Sequence, residues 1–199
     1  MGKHELYNRI VASQADVYLG NIEKGNLKEW EWERILKVRT EIQSHKLAIH
    51  DKSGQNLLQI RAQANSVKGS GELKAIVVDY LGLIQDTERG RKRYEMITDI
   101  SIGLKNLARD LNVPVIALAQ LNRGPEQRKD SEPDMADLRD SGGIELDADV
   151  VMLLHRIRTE EDTQEWQKSQ MIIKVAKNRH GITGEAGLKF EGHLARVVS

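Results

Sequence analysis

The chain has 199 residues, and its 30 lysines and arginines are balanced by 30 aspartates and glutamates, so net charge points to no nucleic-acid or acidic partner. The absence of cysteine excludes disulfides and thiolate metal sites and fits a reducing cytoplasm, the expected compartment. No apolar run reaches the roughly 18–20 residues of a membrane span, and the opening MGKHELYNRI lacks the apolar core of a signal peptide.

Aromatic residues make up only 4% of the chain, which predicts an aliphatic core. Residues 4–17 read as an amphipathic helix with Leu6, Ile10, Ser13 and Val17 on one side. The segment GNLKEWEWERILKVRTEI continues as a second helix carrying Trp32, Ile35, Leu36 and Ile42, with Trp30 and Trp32 expected in its packing. Residues 46–51 alternate like a short strand. A helix follows over 57–67, with Leu57, Ile60, Ala64 and Val67 on one face and Asn56 placed to cap it. After a Gly/Ser turn comes an apolar strand, 75–80. Residues 94–111 carry the clearest helical stripe: Ile97, Ile100, Leu104, Leu107 and Leu111. Continuously apolar strands are expected at 113–119 and 148–154, and the segment SQMIIKVAKNRHGITGEAGLKFEG reads as a hairpin. Apolar strands alternating with amphipathic helices predict an α/β fold, a mostly parallel sheet with helices on both faces.

Ligands of such sheets sit at the carboxyl ends of the strands, which places Asp79, Gln120 and His155 on one rim. Asp79 ends an apolar run. Leaving even a neutral polar group unsatisfied in a core costs roughly 2–7 kcal/mol, so a buried carboxylate there needs a partner. An aspartate in this position either orients a magnesium ion beside phosphates or caps the next turn. Gln120 could touch a terminal phosphate or be an ordinary polar strand end. Residues 120–147 show no period, and a structureless stretch beyond about 12–15 residues is often functional. It holds Arg123, Arg128, Lys129 and Arg139, followed by Ser141, Gly142 and Gly143, and glycines beside arginine let backbone amides approach a phosphodiester. QDTERGRKR is a second basic run. Either run is otherwise a solvated face, and neither interleaves aromatics, so any nucleic acid is held by its backbone. Lys177 and Arg179 flank Asn178 at the hairpin tip and share one strand face, as a finger pair or as an ordinary charged end. Asp147 with Asp149, and His45 with His50, have metal-like spacings without an evident third ligand. His155 reads as a packed histidine.

Singly these features are weak, but their order is specific. IVVDYLGLI, VPVIALAQLNR, DLRDSGGIELDADVVMLLHR and VAKNRHGITGE together resemble the C-terminal RecA-like motor of DnaB-type replicative helicases, over essentially the whole chain. RadA- and KaiC-like RecA relatives share the general layout without the run at 137–156. The resemblance implies a RecA-like, P-loop NTPase type of fold ending in a β-hairpin, in a single partial domain over 1–199. It implies Asp79 as the Walker B aspartate that orients magnesium through water, and Gln120 as the sensor of the terminal phosphate of ATP. Arg139, Asp140 and Gly142, with Arg123 and Arg128, would grip single-stranded DNA in the channel of a hexameric ring of related subunits. Lys177 and Arg179 would reach the ATP of the adjacent subunit, driving movement 5′ to 3′.

The departures are as specific. The sequence has no G-x-x-x-x-G-K-[ST], and GSGELK at 69–74 enters a strand rather than opening a helix. In the family the phosphate loop and the catalytic glutamate lie just upstream of the segment matching MGKHELYNRI. The expectation is therefore a fold incomplete at its N-terminal side, with open strand edges and an uncovered apolar face. Such a chain would be inactive alone and completed by a fragment carrying Walker A. The alternative is a non-catalytic DNA-binding or ring-assembly module.

Overall fold

The computed structural model describes residues 2–85, 91–122, 132–141, 143–157 and 170–199. The chain divides into two compact units.

The first unit comprises residues 1–51, 156–172 and 186–199. Its helices are α1 (Lys3–Ala15), α2 (Leu19–Lys24) and α3 (Glu29–Ser44). Helix α1 stops where Asp16 turns left-handed (φ 56°), and Gly25 (φ 67°) ends α2 in the same way. Helix α2 lies between the two helices that the sequence suggested, in residues to which it assigned no element. The core is Val11, Ala15, Val17 and Val38, with Ile22, Leu27, Ile35 and Ile42 packed around it. Trp30, Trp32 and Leu36 are about half exposed instead of packed, and the Arg34 guanidinium lies over the Trp30 ring at 5.1 Å. The buried stripe of α3 passes through Glu31, whose carboxylate accepts the Lys28 N–H at 2.7 Å and the Asn21 amide at 3.0 Å. The Lys28 bond, then the Asn21 bond, hold its carboxyl below the usual range. Residues 46–51 form no strand, because no neighbouring strand among the described residues pairs with them.

The second unit comprises residues 52–155 and 173–185. Helix α4 (Leu57–Ser70) is capped as expected: Asn56 accepts the Gln59 N–H at 3.0 Å, and the Gln59 side chain accepts the Asn56 N–H at 3.0 Å. Helix α5 (Arg93–Leu111) buries all five residues of its predicted stripe. Ile100, Leu104, Leu107 and Leu111 pack with Ala64, Leu81 and Ile84 as the main core, and each fully buried leucine in such a cluster contributes about 1.5–3 kcal/mol. Gly103 of α5 makes room for Leu57: a Cβ there would lie 2.0 Å from the leucine Cδ2.

Strands β1 (Ile76–Val78) and β2 (Val115–Ala117) are parallel, with Ile76 opposite Val115 and Val78 opposite Ala117. Both are shorter than their apolar runs, and among the described residues they pair only with each other. The sequence suggested strands buried on both faces. The structure instead leaves Val77 64% and Ile116 55% exposed. Strand β3 (Val150–Arg156) buries Val151 and Leu153 against Leu138 and exposes Val150, Met152 and Leu154. Strands β4 (Gln170–Asn178), β5 (Gly184–Glu191) and β6 (Arg196–Val198) come next in the chain, and β4 and β5 form the expected hairpin. Within the first unit β5 and β6 are antiparallel, with Phe190 opposite Val197.

Candidate nucleotide and finger site

Parallel pairing puts the carboxyl ends of β1 and β2 at the same end of their sheet, where ligands of α/β folds bind. Asp79 follows β1 directly, and its peptide bond to Tyr80 is cis. Beyond the strands the ladder is extended by Leu118 N–H to the Val78 carbonyl and Leu81 N–H to the Leu118 carbonyl, both at 2.9 Å. Gln120 therefore leaves β2 on the same rim as Asp79. Both side chains are exposed, which corrects the expectation of a buried carboxylate. An exposed Asp79 is solvated and needs no partner from the core. His155, near the end of β3, is half-buried, and among the described residues its Nδ1 has no hydrogen-bond partner.

Of the long aperiodic stretch, Arg123, Arg128 and Gly142 lie outside the described residues, as do the side chains of Arg139 and Asp140. The backbone of Arg139 and Asp140 belongs to a 3-10 helix, Met135–Ser141. Buried Asp137 in this helix accepts the Asp134 N–H at 2.7 Å, and its carbonyl accepts the Asn122 N–H at 3.1 Å. Both bonds fix the segment that precedes the glycines. Gly143 donates to the Thr98 hydroxyl of α5 at 3.1 Å and opens the short helix α6 (Ile144–Asp147).

Helix α6 meets the tip of β4. Lys177 Nζ reaches the Glu145 carbonyl, and lies 3.4 Å from the Leu146 carbonyl. Arg179 donates from Nη2 to that same Leu146 carbonyl at 2.6 Å, and its backbone N–H donates to the Asp149 carbonyl at 2.9 Å. Cations at the carbonyl end of a helical turn match the partial negative charge there. The Asp149 carboxylate lies 3.5 Å from Arg179 Nη1 and pairs closely with Lys105 of α5. The Lys105 bond, aided by the charges of Lys105 and Arg179, holds the Asp149 carboxyl below its usual range. This pairing supplies a structural role for Asp149 that its metal-like spacing with Asp147 did not suggest. A pocket of about 250 Å³ lies beside it, lined by Lys105, Arg109, Leu146, Asp147 and Arg179 among others. Farther along β4, Lys174 bridges Glu132 at 2.8 Å and Glu185 at 3.6 Å. The Glu132 bond lowers the glutamate's pKa and raises the lysine's.

The family model described as DnaB-like helicase C terminal domain matches residues 1–199. The chain belongs to this family. Among curated proteins it is 41% identical over 199 residues to the replicative DNA helicase DnaB of Leifsonia xyli subsp. xyli, covering all of this chain and 43% of the relative. It is 38% identical to the replicative DNA helicase DnaC of Bacillus subtilis, over 100% of this chain and 44% of the relative. It thus spans less than half the length of these helicases. Among solved structures it is similar to a DnaB-like replicative helicase, described with its interactions with primase, with TM-score 0.91 and 32% identity, over the whole of this chain and 48% of that one. A second solved structure, of an ATPase domain, matches with TM-score 0.92 and 32% identity, covering all of this chain and 71% of that one. The RecA-like fold and the assignment to a DnaB-type helicase C-terminal domain are therefore established, and RadA- or KaiC-like membership is set aside. No helix among the described residues is long and apolar enough to cross a membrane.

Proposed function

We propose that this DnaB-family chain supplies one part of an ATP-dependent 5′ to 3′ replicative helicase motor in the cytoplasm, working in a hexameric ring on single-stranded DNA. The observation that carries the reading is the placement of Asp79 and Gln120 on one rim, at the carboxyl end of the β1–β2 pair, in a chain matched throughout by the helicase family.

The residues present fit one edge of a magnesium–ATP complex. The exposed Asp79 carboxylate is open to a hydrated magnesium ion, and Gln120 offers a neutral amide that can follow a terminal phosphate. Magnesium, when bound, neutralises charge on the phosphate oxygens. The sequence has no G-x-x-x-x-G-K-[ST], so in this reading the phosphate cradle comes from residues outside these 199, on the same or another polypeptide. The exposed Val77, Ile116 and Leu118 suit contact with such a segment. Arg139, Asp140 and Gly142, with Arg123 and Arg128, hold the DNA backbone. Lys177 and Arg179 act on the nucleotide of a neighbouring subunit.

The test mixes the purified 199-residue chain with a polypeptide carrying the phosphate loop of a DnaB relative. Magnesium-dependent ATP turnover is expected in the mixture alone, and its loss in Asp79→Ala. Turnover by the chain alone overturns the reading. Association without turnover favours the DNA-binding or ring-assembly module.

A further inference from the structure

The finger reading of Arg179 leaves open what holds so long a side chain in one place. An arginine has many rotamers, and a trans-acting guanidinium is effective only if it meets the phosphate already oriented. Around Arg179 three contacts converge from two directions. Its own N–H is bonded to the Asp149 carbonyl at 2.9 Å, which fixes the backbone. Its Nη2 is bonded to the Leu146 carbonyl at 2.6 Å. Its Nη1 faces the Asp149 carboxylate at 3.5 Å. That carboxylate is itself held from the opposite side by Lys105 of α5, a residue 44 positions away. Lys105 is the less exposed partner, with 19% of its side chain accessible against 47% for Asp149, so the pair is braced from the protein side.

We propose that Asp149, braced by Lys105, is the positioning residue that presents Arg179 as a finger; this rests on the finger role assigned above. A guanidinium has five N–H donors in a rigid fork. The Leu146 carbonyl takes one, and the carboxylate lies beside Nη1 without closing a hydrogen bond, so donors remain for an incoming phosphate. Arg179 keeps 44% of its side chain exposed, so the brace restricts the fork without covering it. Lys177 shares the Leu146 carbonyl, so the two cations are held as a pair at a fixed spacing. Neutralising Asp149 removes the carboxylate beside the guanidinium and frees Lys105 at the same time.

The first measurement uses the 199-residue chain and a dicarbonyl reagent specific for arginine, with mass spectrometry reading the rate at each site. Asp149→Asn and Lys105→Met should each raise the modification rate of Arg179 severalfold, leaving Arg109, exposed on the same pocket, unchanged. An unchanged rate at Arg179, or an equal rise at both arginines, overturns the proposal. The second uses the reconstituted motor. Asp149→Asn should lower kcat for ATP by about 10²-fold, the scale of an ångström's misplacement of a reacting group, with little change in KM. Lys105→Arg should retain kcat, and Asp149→Asn should add little further loss in the Arg179→Ala background. Full additivity of those two losses overturns the proposal. If Arg179→Ala alone leaves turnover intact, the finger reading fails, and the modification rates still decide whether Asp149 holds the arginine.

Discussion

Lys177 near the end of β4 and Arg179 in the turn that follows converge on a single acceptor, the carbonyl of Leu146, at 3.4 and 2.6 Å. That carbonyl belongs to α6, the short helix that follows the glycines of the proposed DNA loop. One four-residue helix thus stands between the segment assigned to DNA and the pair assigned to a neighbour's nucleotide. Substituting Arg179 by alanine in the reconstituted motor should reduce kcat by about 10³–10⁵, the range of arginine fingers. The thermal midpoint of the chain alone should move little, because the side chain is half exposed. A large midpoint loss with intact turnover would make Arg179 a structural residue.

The loop assignment makes a different demand. If Arg139 meets a phosphate, Arg139→Ala should weaken single-strand binding by a similar factor on every sequence. The slope of log affinity against log salt should fall by about 0.7, the share of one phosphate contact on a single strand. Fluorescence anisotropy on homopolymeric and mixed oligonucleotides over a salt series reads both quantities. A substitution effect confined to one sequence would move the assignment from backbone to base contact.

The core of the second unit predicts stability. Leu107 is 1% exposed at the centre of the α5 stripe, and Leu107→Ala should cost about 2–5 kcal/mol through lost burial and the cavity left behind. Asn56→Ala should cost about 1 kcal/mol, because it removes the side-chain oxygen that accepts the Gln59 N–H and caps α4. Far-UV circular dichroism in urea ranks the two. A Leu107 loss smaller than the Asn56 loss would contradict the core described here.

Those two residues were legible in the sequence for the same reason: their signals are local. A five-residue stripe at helical spacing in α5, or an asparagine one place before the apolar stripe of α4, needs no knowledge of the rest of the chain. Trp32 and Leu36 misled because apolar character marks a residue that can be buried, while α3 turns its Glu31, Ile35, Val38 and Ile42 side inward. The burial of β1 and β2 was misjudged similarly, since an apolar strand is covered only by what packs on it. The order of the four motif runs carried the family, because order survives where each run alone is ambiguous. Charge pairing was out of reach. Nothing at Lys105 or Asp149 announces a partner 44 residues away, and only the packing of α5 beside α6 brings them together.

That same pair sets an acid dependence with a definite sign. Lys105 holds the Asp149 carboxyl below its ordinary value, so the folded chain resists protonation more than the unfolded chain, whose aspartates titrate near 3.9. The stability contributed by the ionised carboxylate is therefore fully present above about pH 4 and is lost as pH falls through the lowered folded value. Other carboxylates act in the same direction, including Glu31, Glu132 and Glu191. The measurement is thus a difference: urea stability of the wild type minus that of Asp149→Asn, taken from about pH 3 to 7. That difference should be flat above about pH 5 and shrink below about pH 4. It should also diminish in high salt, because Asp149 is nearly half exposed and its pairs are screened. A difference that grows on acidification would mean that Asp149 is protonated more easily in the folded chain than in the unfolded one, and Lys105 would then not be its dominant partner.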